Sequence, residues 1–429
     1  MILPLLAALQ VAATATPVLI HDSIPTLTLA EALERGAGLD PNYVAALGHV
    51  GEAEWGRRNA VLAFVAPALD VFNDWTYYST EFFNVGTGEN QRNLVTGQLN
   101  LRYEIFALSK FTELGRSRAA LDASEASEVK QRYLAALVVE QVFYQVLADK
   151  ALASVAAERV HRADEQLAVA RARVQSGAVV HSDSLQLLLE LTRAQVDLLR
   201  SQAQLRVSQL ELGRRTGASD AVDAAPLGEP VPDSLPITLD QAVTEALETG
   251  PDWRLARAQA SAAEHYLKGL KGEYLPKLDL SFTAYRFDDH FFPSARSVSA
   301  IDLVVRWNIW DLGRRELAIA QAKTTRDVTR AVSLDLARAA RHDVALAYES
   351  FTTARAALDL TTQGLVVAQE NFRVQEERYR AGAATILLLL DAQVGLTQAQ
   401  ADQVQAVFVA RLAWAGLEAI LGRRLSSPA

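Results

Sequence analysis

"VTGQLNLRYEI", residues 95–105, alternates apolar and polar side chains. Val95, Leu99, Leu101, Tyr103 and Ile105 fall on one face of an extended chain, and Thr96, Gln98, Asn100, Arg102 and Glu104 on the other. A period of two marks a β-strand whose faces meet different surroundings. Just before it, "LDVFNDWTYY" (69–78) places Leu69, Val71, Trp75 and Tyr77 on one face. A second pair occurs in the other half of the chain. "IDLVVRWNI" (301–309) sets Ile301, Leu303, Val305, Trp307 and Ile309 against Asp302, Arg306 and Asn308, and "LDLSFTAYRF" (278–287) precedes it with weaker alternation. Connecting loops should hold Gly86–Asn93 and Asp288–Ser297. Two hairpins follow, at about 68–106 and 277–310, with strands of roughly ten residues, long enough to cross an outer membrane. Trp75, Tyr77, Tyr103, Trp307 and Trp310 cluster in these strands, as an interfacial girdle requires. Two soluble hairpins on a core are the alternative, but the flanking chain offers no other sheet. Four strands cannot close a barrel, since the smallest common barrels need about eight. The chain must therefore oligomerise, and three copies would give a twelve-stranded ring.

Outward from the strands the sequence is helical. After "EIFALSK" no strong helix stop appears until Gly177, and the second half repeats this from Arg314 to Tyr379. Roughly 65 residues at about 1.5 Å each give a helix close to 100 Å long. The returning helices carry heptad spacing: Leu185, Leu189, Thr192, Val196, Leu199 and Ala203, then Leu387, Leu390, Val394, Thr397, Ala401, Val404 and Phe408. These predict coiled-coil seams. Taken alone, such helices also fit a soluble coiled-coil scaffold.

The chain is written twice. "TLTLAEALERGAGLDPNYVAA" from Thr26 matches "PITLDQAVTEALETGPDWRLA" from Pro236. Each contains a capping box, Thr28 with Glu31 and Thr238 with Gln241, and each places a Pro (Pro41, Pro251) where the next helix opens. Pro67 pairs with Pro276, Tyr103 with Trp307, Gly177 with Gly382 and Gly217 with Gly422, at offsets of 204 to 209. The order of turns, aromatics and caps marks an internal duplication. The domains read as a signal peptide over 1–15, a first repeat over 16–217, a linker over 218–236 rich in Pro, Asp and Ala, and a second repeat over 237–429. The signal reading rests on the apolar run "MILPLLAALQVAA" and the A-x-A at Ala13–Ala15. No other apolar stretch of 18 residues is expected, so membrane crossing falls to the strands.

Composition excludes several functions. Of 429 residues, 50% are hydrophobic but only 7% aromatic, which favours Ala- and Leu-rich helices. A net charge of −9 gives no basic footprint for nucleic acid. There is no Cys, so disulfides, zinc–thiolate sites and a cysteine nucleophile are absent. The seven His (His21, His49, His161, His181, His265, His290 and His342) never fall at metal-binding spacing, and "GTGEN" (86–90) lacks the lysine of a phosphate loop. No catalytic residue, metal or cofactor is expected.

The duplicated "LTLAEAL…DP" and "ITLDQAV…GP" starts, the paired hairpins and the two "G…D…AQ…L…G" returns resemble the TolC-type outer-membrane efflux family across nearly the whole mature chain. The resemblance implies a mainly α fold with a membrane β-barrel: a homotrimer whose twelve-stranded barrel continues into a periplasmic α-barrel of coiled-coil hairpins. It implies an outer-membrane location, contact with outer-membrane lipid, a periplasmic adaptor and an inner-membrane RND, ABC or MFS-type transporter. Export of small molecules and type I protein secretion both fit. It places adaptor contacts at the hairpin tips, Gly177 and Ala178, and Gly382 and Ala383. It gives Asp183 and Tyr379 as partners holding a gate closed, and Asp391 as a constricting acid. The chain departs from the family pattern at Ala384, where a gating arginine is usual, and at Leu388, where a first constricting acid is usual. The loss of these partners leaves two expectations, a weaker gate or one sealed by leucine packing at Leu388. Arg173 and Arg378, just before the turns, read as solvated charges favoured by helix C-termini.

Overall fold

The computed structural model describes residues 24–175, 180–294 and 296–425. The segment read as a signal peptide lies outside them. In each repeat a short helix follows an N-cap threonine. Thr28 opens α1 (Leu29–Ala37) and Thr238 opens α5 (Leu239–Glu248), and both capping boxes form as expected. Proline then starts α2 (Pro41–Val65) and α6 (Pro251–Lys271). Two strands come next, β2 (Ala68–Asn84) with β3 (Glu89–Phe106), and β5 (Lys277–Asp288) with β6 (Arg296–Arg306). Each hairpin leads into a long helix, α3 (Leu108–Gln175) or α7 (Arg314–Arg380), and each long helix into a shorter return, α4 (His181–Thr216) or α8 (Ile386–Leu421). At about 1.5 Å per residue, the 68 residues of α3 reach about 100 Å and the 36 of α4 about 54 Å. The returns therefore cover only the distal half of each long helix. The half nearer the strands packs against α2 and α6.

The four long strands form one antiparallel sheet in the order β2-β3-β5-β6, leaving β2 and β6 as open edges. Paired residues keep the sequence alternation: Val71 lies opposite Leu99, Leu99 opposite Ala284, and Phe282 opposite Ile301, all on the apolar face. Val71, Trp75, Ile301, Leu303 and Val305 are exposed on it. The opposite face is polar. There Thr283 donates to Asn100 at 2.9 Å and Arg306 pairs with Asp279 at 2.9 Å.

Three expectations about the strands are corrected. β2 and β3 run to 17 and 18 residues rather than ten, because Asn90 and Gln91 continue the ladder to Phe83 and Phe82 past a register shift, leaving a turn of only residues 85–88. β6 stops at Arg306, so Trp307, Ile309 and Trp310 are not strand residues. Arg306 pairs with Lys277, and the next partner would be Pro276, which has no N–H to give. The Trp307 indole instead donates to the Tyr274 carbonyl at 3.1 Å.

The heptad seams are also displaced. In the first three turns of α8 the buried residues are Ile386, Leu389, Ala392, Gln393 and Leu396, while Leu387 and Val394 are 66% and 60% exposed. In α4, Ser184, Leu187, Glu190, Leu191 and Ala194 are buried, while Leu185, Leu189, Val196 and Leu199 are exposed. On α4 the heptad pattern thus traced an apolar stripe that this chain does not cover, whereas on α8 it is bare only at Leu387 and Val394, and Leu390 and Phe408 pack at the edges of the cores. α8 is also long and apolar enough to cross a membrane by length and composition, contrary to the expectation that no further apolar stretch exists. Its buried stripe packs on α7 and α3.

The two equatorial cores repeat. Val139, Phe143, Leu212 and Ala32 form one, and Val344, Leu417, Leu421 and Ala242 the other. Segment 218–236 is extended, as its composition predicts, but it is not a free spacer. Asp223–Ala224 (β4) pairs in parallel with Thr26–Leu27 (β1), and Ala221, Val222, Ala224 and Val231 are buried. The segment crosses α4 so closely that a Cβ on Gly213 would lie 2.2 Å from the Asp220 carbonyl oxygen. Backbone cannot yield there as a flexible side chain would. Gly213→Ala should therefore cost about 1–3 kcal/mol through overpacking, read as a lowered thermal midpoint of helical circular dichroism. Gly364, where an added Cβ meets open space, is the matched control.

Candidate functional site

The distal ends of the four long helices meet in one core of Leu167, Ala170, Leu187, Leu191, Phe372, Tyr379, Ile386 and Leu389. This core joins the two hairpins at their tips. The second tip is a glycine turn. Gly382 has φ 77°, the left-handed conformation that suits glycine, and its N–H donates to the Tyr379 carbonyl while the Ala383 N–H donates to Arg378. This pair of bonds is a Schellman cap. Gly382 and Ala383 are exposed, as a docking turn requires. Gly177 and Ala178 lie outside the described residues.

Asp183 is half-buried in the first turn of α4, three residues after the N-cap Val180, so it does not cap the helix itself. Tyr379 is 3% exposed. Burial raises its phenol pKa, with the charge of Asp183 adding to the rise and Arg173 opposing it. The two residues are thus electrostatic neighbours across the hairpins. The hydrogen bond expected between them is not formed, because the Tyr379 hydroxyl is buried without a partner among the described residues. Tyr379 is held from the other side. The Arg173 guanidinium donates to its carbonyl oxygen at 2.5 Å and lies 5.2 Å from its ring centroid. A Cβ on Gly382 would stand 3.3 Å from the same guanidinium. Arg173 is therefore no solvated C-terminal charge. It is a cation from α3 capping the end of α7, where the helix dipole is negative. Its position two residues before the end of α3 suggested only the local dipole, and no local signal marks its reach to the other hairpin.

Leu388 and Asp391 share an exposed stripe of α8 with Val394 and Gly395, on the side turned away from the hairpin core. Their neighbour Leu389 is the fully buried one. Ala384 packs at the edge of the core and offers no charge.

A second polar cluster lies further up the helices and was not foreseen. Arg159 donates two bonds to Glu190, at 2.6 and 3.0 Å, and one to Asp197 at 2.9 Å. Gln393 of α8 approaches the same Glu190 oxygen at 3.4 Å. The Gln166 amide is buried beside this layer with neither polar atom satisfied. Glu190 and Gln393 fall in the buried stripes of their helices, and that is the sequence signal that could have found them.

The geometry is matched by known proteins. The profile of the outer membrane efflux protein family aligns with residues 60–218 and 242–423, one stretch per repeat. The VceC outer membrane protein of Vibrio cholerae superposes with a TM-score of 0.76 at 18% identity, covering 93% of this chain and 97% of that one. The CmeC outer membrane channel of Campylobacter jejuni gives 0.76 at 15% identity, covering 93% and 87%. The open-state MtrE outer membrane channel of Neisseria gonorrhoeae gives 0.73 at 17%, covering 92% and 89%. In sequence, the chain is 28% identical over 317 residues to OpmQ, a pyoverdine export outer membrane protein of Pseudomonas aeruginosa, covering 71% of this chain and 65% of that relative. A duplicated chain with one four-stranded sheet, two helical hairpins and this profile over both repeats belongs to the outer membrane efflux protein family.

Proposed function

We propose that the chain is one third of a homotrimeric exit duct. The duct runs from the periplasm through the outer membrane and receives cargo from a periplasmic adaptor and an inner-membrane RND, ABC or MFS-type transporter. The observation that carries this reading is the sheet. Its faces are sorted into apolar and polar, and both of its edges are open. In lipid every strand edge must be paired, and four strands are too few to close on themselves. Three copies supply twelve. The exposed stripes of α4 and α8, from Leu185 to Leu199 and from Leu387 to Val394, are then surfaces for neighbouring protomers. Kinship with OpmQ favours a small exported molecule of the pyoverdine kind as cargo. Chemical crosslinking and mass measurement of the detergent-purified protein should give three protomers, and a monomer would sink the reading.

At rest the duct is closed at the tip, where the hairpins are pinned to one another. In this chain Arg173 does the pinning that Ala384 cannot. A charge-assisted bond to a carbonyl is worth about 1.5–3 kcal/mol, and three copies act together. Leu388 and Asp391 lie on the unpartnered stripe of α8, and around a threefold axis they form a leucine ring and a carboxylate ring. Gly382 and Ala383, with Gly177 and Ala178, form the adaptor-facing turns.

Single-channel recording in planar bilayers separates the contributions. Arg173→Ala should raise resting conductance several-fold, whereas Tyr379→Phe should leave it unchanged, since the hydroxyl it removes has no partner among the described residues. A large effect of Tyr379→Phe would instead place the Asp183–Tyr379 bond in the assembled gate. Leu388→Ala should open the rest state further, and an unchanged conductance would rule out a leucine seal. Asp391→Asn should lower cation preference, measured as a shift of the reversal potential in a salt gradient toward zero.

A further inference from the structure

The loop after β5 does not stand up from the sheet. It folds down the sheet's apolar wall. Three residues on that wall hold it. Asp288, at the top of β5, points to the same side as its partner Val95. Its carboxylate accepts the Ser294 N–H at 2.8 Å and the Asp289 N–H at 2.8 Å, so the loop returns toward its own start. Two residues lower on β3, Gly97 leaves a seat, because a Cβ there would lie 2.8 Å from Pro293 Cγ. On β2, directly opposite Gly97, the Asn73 amide donates to the Phe291 carbonyl at 2.7 Å. Asn73 is the one polar residue in the stripe Leu69, Val71, Asn73, Trp75 and Tyr77, and the loop satisfies it. Val95, between these anchors, is 0% exposed while its partner Trp75 is 60% exposed.

Held in this way, the loop turns two aromatic rings outward. Phe291 and Phe292 are 62% and 81% exposed and meet edge to face at 5.2 Å. No other part of the described chain covers them. The Phe291 carbonyl lies at Asn73, between Val71 and Trp75 in the stripe of β2, on the face whose other members include Leu69, Ile301 and Leu303. That face is mainly apolar below the loop, and the pair adds two exposed rings beside it.

We propose that residues 289–294 form a lipid-contact wedge. Its occupant is the outer leaflet of the outer membrane at the boundary of acyl chains and headgroups, where aromatic rings are favoured. This rests on the reading that the apolar wall faces lipid. Asp288, Gly97 and Asn73 build the wedge, and Phe291 and Phe292 fill it. A loop hydrated above the membrane would have no reason to bury Val95 or to leave two adjacent phenylalanines bare.

The chain has no cysteine, so Phe292→Cys carries a single thiol for a bimane label. The labelled full-length protein is reconstituted in phosphatidylcholine vesicles, with or without bromine on the acyl chains. Acyl-chain bromine should cut emission by about half or more, while aqueous iodide should quench little, as suits a ring at the interface. Adding Gly97→Val, which pushes on Pro293 from the wall, should reverse the pattern. Efficient iodide quenching without bromolipid quenching, in protein that still conducts ions, overturns the wedge and leaves the channel intact. Protein that neither inserts nor conducts fails the membrane reading itself, and the wedge with it. Phe291→Cys repeats the measurement should the first variant assemble poorly.

Discussion

A β-sheet in lipid is constrained by its edges. Every backbone N–H and C=O left unpaired in hydrocarbon costs several kcal/mol, and β2 and β6 each present a full row of them. Nothing else in the described chain can cover those rows, because the remaining strands are the two-residue pair β1 and β4 near the equator. The rest of the architecture follows from this incompleteness. In the proposed trimer, a chain that meets copies of itself at the sheet would also meet them along the helices that hang from it. The apolar residues left bare on α4 and α8 would answer that demand. Duplication eases the geometry, since two similar hairpins per chain make neighbouring contacts alike whether they fall within a protomer or between protomers.

Much of this was legible because it rests on short-range chemistry. Capping boxes at Thr28 and Thr238, prolines at the helix starts and left-handed glycines at 217, 382 and 422 are decided by residues within a turn of one another. The alternation of β3 fixed its faces before its partners were known. What was not legible depended on partners far along the chain. Periodicity located an apolar stripe on α4, but it could not say which of two stripes the same chain would bury, since both repeat at about 3.5 residues. The end of β6 was set by Pro276, thirty residues earlier in the chain and directly across the ladder. Arg173 was misread for the same reason. Its local setting is a helix C-terminus, and its actual partner lies 206 residues away.

Polar groups inside the helical bundle show how the two repeats are kept in register. Arg424, near the C-terminus, reaches Glu140 of α3 at 2.5 Å and Glu418 of α8 at 2.6 Å, and the Trp414 indole and the Leu425 N–H also bond to Glu418. Burial raises the pKa of Glu140, and the Arg424 charge works against that rise. One guanidinium thus ties the first repeat to the second at the equator. Nearer the tip, Arg159, Glu190 and Gln393 do the same across α3, α4 and α8. Such groups add less stability than well-packed apolar ones would, and their best-attested use in coiled coils is to fix register. A duct built from sliding helices needs register more than it needs a tighter core.

The tip differs from the equator in what a rearrangement would break. At the equator Glu140 and Glu418 are both buried, so parting the cluster would leave Glu140 without its cation and Glu418 with only its neutral donors, Trp414 and Leu425. At the tip, Arg173 holds a main-chain carbonyl that already accepts the Gly382 N–H. If Arg173 leaves, that carbonyl still accepts the Gly382 N–H, so it is not stranded. The Tyr379 hydroxyl has no bond to lose. Opening at the tip is therefore cheap in hydrogen bonds, and its main cost is the apolar contact of Tyr379, Leu389 and Ile386 with the first hairpin. In the gate proposed above, such a seal would yield to a partner that offers replacement apolar contact at the turns.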